Sequence, residues 1–113
     1  MRHILVIAPD SDLRQSLQFA LEAEGYAVTA CARMDDLPPS GGFDCTVLDH
    51  HAADVDRDAA IAFCDLFRPV VLLANRESHP LAAAAFCTVL KPMLGPALAL
   101  AVDQAVGAQV SPT

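Results

Sequence analysis

Five short apolar runs recur along the chain, at residues 4–8 (ILVIA), 26–31 (YAVTAC), 45–48 (CTVL), 70–74 (VVLLA) and 87–90 (CTVL), and between them apolar residues shift to helical spacing. A continuous apolar run suits a strand that is covered on both faces. Strands of that kind alternating with helices predict an α/β fold, in which crossover helices cover a parallel sheet.

The connecting segments differ in quality. Asp10 or Ser11 can cap a first helix whose apolar positions are Leu13, Leu17, Ala20 and Leu21, with Gly25 as its stop. The segment from Ala32 to Gly42 has room for only a short helix before Pro38-Pro39 and Gly41-Gly42 break it. A third helix is expected from about Asp56 to Phe67, with Ala59, Ala62, Phe63 and Leu66 turned inward. Pro69 suits the start of the fourth strand, and Pro80 the first turn of a brief alanine-rich helix ending near Ala85. Gly95-Pro96 opens the last helix, with Leu98, Ala101, Val102 and Val106 on one face and Gly107 as its expected end. The second and fourth helices are therefore short.

At 113 residues the chain is the size of one domain, expected to cover 1–108, with 109–113 as a tail or the start of a linker. Although 54% of the residues are hydrophobic, no uncharged apolar run approaches the ~20 residues of a membrane span. The Met1-Arg2-His3 start leads straight into the first strand without a signal-peptide pattern, so a cytoplasmic location is expected. A net charge of −7 with scattered arginines argues against direct nucleic-acid binding, which needs clustered Lys and Arg. Cys31, Cys45, Cys64 and Cys87 include no CxxC pair and sit among apolar neighbours, as reduced thiols do.

In open α/β sheets the ligand site lies beyond the carboxyl ends of the strands. The residues there are Ala8-Pro9-Asp10, Asp49-His50-His51, Ala74-Asn75 and Lys91-Pro92. A carboxylate that ends a buried strand needs a partner, and Lys91, the one lysine of the chain, ends another strand of the same sheet. Asp49 and Lys91 are the natural pair. His50 and His51, with Asp54 or Asp10, offer imidazoles and carboxylates, but their spacing is not that of a known metal site, and none is assigned. On an extended segment the two histidines point in opposite directions, one to solvent and one over the pocket.

In combination, ILVIAPDSDLRQSL, EGYAV, FDCTVLD, PVVLLAN and VLKP resemble the receiver domain of bacterial two-component response regulators over nearly the whole chain. The resemblance implies a three-layer (βα)5 flavodoxin-like fold with a five-stranded parallel sheet. It also implies a phosphoacceptor position at Asp49, a pocket lysine at Lys91, and phosphoryl transfer from a histidine kinase with the help of magnesium.

The chain departs from that pattern at several positions. Ala8 and Pro9 stand where the family has an acidic pair, and neither offers Mg²⁺ a side-chain oxygen. Asp10 is one position further on, a substitute acid only if the loop bends, and it is better placed as a helix cap. Ala74 replaces the hydroxyl that ends the fourth strand, and Thr88 stands at the aromatic-switch position. The residues thus point to an atypical receiver, with magnesium binding weak or absent, no catalytic residue and no cofactor. It would act as a protein-interaction module, its partner a histidine kinase, an output domain, another regulator or a second copy of itself. The competing reading is a working phosphoacceptor with a non-standard metal site. A small enzyme or flavin carrier finds little support, since there is no glycine-rich phosphate loop and few aromatics.

Overall fold

The computed structural model describes residues 2–34, 43–67, 69–75, 79, 81, 83, 85–91 and 95–109. Five strands form one sheet: β1 (His3–Ile7), β2 (Ala27–Cys31), β3 (Cys45–Asp49), β4 (Val70–Ala74) and β5 (Cys87–Leu90). All neighbours are parallel, in the order β2-β1-β3-β4-β5, which is the flavodoxin-like order. Every residue of β3 and β4 is buried, which explains why their sequences carry no polar alternation.

The alternation within each strand sorts the core into two layers. Ile4, Val6, Val47, Val71 and Leu73 face α1 (Ser11–Ala23) and α4 (Gly95–Gln109), where Leu17, Leu21, Leu98 and Val102 meet them. Leu5, Ile7, Leu48 and Leu72 face the other way, against Ala52 and Ala53 of α2 (His50–Asp54) and Ala60, Phe63 and Cys64 of α3 (Arg57–Leu66). Gly25, at φ 95°, supplies the left-handed residue that lets the chain turn from α1 into β2. The Tyr26 hydroxyl donates to Asp103, tying this turn to α4, and burial together with that bond pushes the phenol up to about 12. None of the four cysteines is in a disulfide, and Cys45 and Cys64 are buried.

Three expectations need correction. Helix α3 buries Ala60, Phe63 and Cys64, whereas Ala59 and Ala62 are exposed and Leu66 is 79% exposed. The segment is apolar on several sides, so periodicity alone leaves its phase open; the Asp56 cap, accepting from Ala59 N, fixes it. Helix α4 runs through Gly107 to Gln109, since a helical glycine costs only about 1 kcal/mol against alanine. His50 and His51 lie on α2, not on an extended segment.

Of the expected short helix after Pro80, the described residues form turns with a single Ala85 N–H to Leu81 carbonyl bond; Pro80, Ala82 and Ala84 lie outside the described residues. The expected short second helix lies almost wholly outside them, at 35–42.

Candidate functional site

Asp49 closes the central strand and is fully buried. Its Oδ1 forms an ion pair with Lys91 Nζ, and no other group donates to that oxygen among the described residues. Its Oδ2 accepts from the backbone N–H of His51 at 3.2 Å and lies 3.1 Å from His51 Nδ1. One carboxylate thus anchors β5 to β3 and caps α2, which is why the chain turns helical at once after the strand. Lys91 arrives there because β5 runs in register with β4, Ala74 opposite Leu90, and its N–H donates to the Ala74 carbonyl at 3.0 Å.

The end of β1 is built differently. Ile7 pairs with Leu48, which brings Ala8 alongside Asp49, and Ala8 is fully buried. The carbonyls of Ala8 and Pro9 accept from the Arg14 guanidinium at 2.8 and 3.3 Å. A fixed positive charge therefore sits on the strand-end oxygens. Asp10 is the N-cap of α1; its carboxylate accepts from Asp12 N at 3.2 Å. Removing that cap, Asp10→Ala, should lower stability by about 1 kcal/mol. Urea unfolding should give the same loss with and without Mg²⁺; a loss seen only in Mg²⁺ would make Asp10 a ligand instead.

Ala74 is buried and Thr88 half-buried on neighbouring strands. The histidines divide as a buried His50 and an exposed His51, whose side chain is 62% exposed. His50 Nδ1 lies 3.1 Å from Asp54 Oδ2, and His79 Nε2 lies 2.9 Å from Asp54 Oδ1. Burial opposes ionisation of Asp54, but hydrogen bonds from the two imidazoles outweigh it and hold the carboxyl below its ordinary range. His79 Nδ1 accepts from Leu81 N at 3.1 Å, so the ring proton is on Nε2 and donates to Asp54. Sequence reasoning missed His79. It lies 25 residues from Asp54, and no local pattern links the two.

No protein-family model matches the sequence, and no curated protein matches it. Solved structures do match by fold. Full-length FixJ from B. japonicum is 25% identical with a TM-score of 0.79; the match covers 96% of this chain and 59% of FixJ, which is the longer protein. The response regulator TrrA from Thermotoga maritima, solved with Mg²⁺-BeF, is 21% identical with a TM-score of 0.77, covering 93% of this chain and 99% of that one. The receiver domain of a sensor histidine kinase from Pseudomonas aeruginosa, with magnesium in its active-site cleft, is 17% identical with a TM-score of 0.79, covering 94% and 98%. The sheet order, the crossover helices and these likenesses agree: the chain has the fold of the response-regulator receiver domain.

Proposed function

We propose that this chain is an atypical receiver, a signal-transduction module that works through contact with a protein partner and not through magnesium-assisted phosphorylation of Asp49. The observation that carries the reading is the end of β1, where Ala8 and Pro9 offer no carboxylate and their carbonyls are held by Arg14. Magnesium is held through carboxylates and water oxygens in near-octahedral geometry. Asp10 is turned to its own helix. The residues present do not fit the ion that two of the solved neighbours contain.

Phosphoryl transfer depends on positioning and on neutralising charge at the transferring oxygens. Without the metal, Lys91 alone faces that charge, and Ala74 has no hydroxyl to hold the product. Asp49 and Lys91 then act as an internal ion pair, and the chain carries no catalytic residue of its own. The partner is a histidine kinase, an output domain, another regulator or a second copy, and the module works in the cytoplasm.

One observation favours the alternative, a working acceptor: the aspartate and the lysine are both kept at the strand ends. A single experiment separates the two. Incubation with a small-molecule phosphodonor and Mg²⁺, followed by intact-mass measurement, should leave the wild type and Asp49→Asn equally unmodified. A phosphoryl adduct on the wild type that Asp49→Asn lacks overturns the proposal.

A further inference from the structure

We infer that Asp49, His50 and His51 form a site for a divalent transition metal of the zinc class, bound by two imidazole nitrogens and one carboxylate oxygen. The inference deepens the reading above, since it gives the altered pocket a ligand of different chemistry from magnesium. A carboxylate oxygen of Asp49 and one ring nitrogen from each histidine lie within 4.8 Å of one another. Imidazole is a borderline donor that suits zinc, cobalt, nickel and copper, whereas magnesium takes oxygen. The pocket has lost oxygen donors at Ala8 and Pro9 and has nitrogen donors at 50 and 51.

His50 supplies a second, independent observation. The residue is only 8% exposed, and its Nε2 is buried with no hydrogen-bond partner among the described residues. An acceptor nitrogen left in that condition carries an unrecovered desolvation cost unless something binds it. Its other nitrogen, Nδ1, faces the Asp54 carboxylate, which accepts the ring proton and leaves the Nε2 lone pair for a ligand. Carboxylate, histidine and metal in that order form the usual outer support of a ligating imidazole.

The other two ligands are prepared in the same way. Asp49 offers Oδ2, while Oδ1 stays with Lys91. His51 Nδ1 and that Oδ2 are 3.1 Å apart, close to the ~3.3 Å edge of a tetrahedron with bonds of ~2.0–2.1 Å. In the neutral tautomer that carries its proton on Nε2, His51 turns its Nδ1 lone pair toward the metal. Exposure of His51 leaves its Nε2–H to water and keeps a side of the site open.

Ligand atoms of the adjacent His50, Asp54 and His79 also lie within 4.8 Å of one another, but that cluster is excluded by its own hydrogen bonds. A metal on His79 Nε2 would put the ring proton on Nδ1, against the Leu81 N–H that Nδ1 now accepts. Asp54 and His79 therefore serve as support behind His50.

The test is titration of the full chain with Co²⁺, read by its visible d–d absorption, followed by displacement with Zn²⁺. One Co²⁺ per chain is expected, in a low-coordinate spectrum without a thiolate charge-transfer band. His51→Gln and Asp54→Asn, both at solvent-accessible positions, should each weaken binding at least about tenfold. Asp58→Asn, in the exposed first turn of α3, should leave it unchanged. No d–d band, a thiolate band, or unaltered affinity in both His51→Gln and Asp54→Asn overturns the inference. A phosphoryl adduct on Asp49 tests the earlier reading separately, because it is measured with magnesium and no transition metal.

Discussion

Lys91→Met lowers the folding stability by about 3 kcal/mol, the lower end of the range for breaking a buried ion pair from one side. The lower end applies because the Lys91 side chain keeps 17% exposure while Asp49 keeps none. The substitution leaves the stem volume nearly unchanged, so the loss reports charge and not packing. What remains is a carboxylate inside a fully buried strand, with Oδ1 deprived of its one partner among the described residues. The decisive comparison is the double variant Asp49→Asn/Lys91→Met. It removes both charges yet keeps a carbonyl oxygen to cap His51 N–H, so it should regain at least half of the lost stability. Urea unfolding of the wild type, Lys91→Met, Asp49→Asn and the double variant measures the coupling directly. A Lys91→Met protein as stable as the wild type would mean that the pair does not hold β5 to β3.

The fold was legible because the strands are read by composition. Continuous runs such as ILVIA and VVLLA admit few alternatives, and the five strands match those runs to within one residue at each end. Helix phase was less legible. In α3 nearly every residue after Asp58 is apolar or small, so Ala59 and Ala62 look as good as Ala60 and Cys64 until the cap sets the rotation. The site divides in the same way. Asp49 and Lys91 were recognisable because a charge at the end of an apolar run needs a partner. Arg14 over the Ala8 and Pro9 carbonyls and His79 on Asp54 depend on how loops and a helix turn back on the sheet, and no sequence period records that. The α2 turn was hidden because its cap, Asp49, reads first as the end of a strand.

Leu72→Ala should cost about 3 kcal/mol, within the 2–5 kcal/mol typical of deleting a buried leucine side chain. Leu72 is fully buried in the middle of β4, opposite Leu48 on one side and Thr88 on the other. It belongs to the layer that α3 covers, where Phe63, Ala60 and Cys64 are its company. Two of those three are small, and α3 cannot settle into the space without pulling away from its Asp56 cap, so the cavity persists. Ile61→Ala on the same helix is the control. Ile61 is 48% exposed, and its loss should stay within about 0.5 kcal/mol. The urea midpoint should shift while the slope stays that of the wild type, because one sheet joins both layers into a single cooperative unit. A changed slope would separate the α3 layer from the rest. The neighbouring Leu73 pairs with Asp49, so the pocket would then depend on the α1 and α4 face alone.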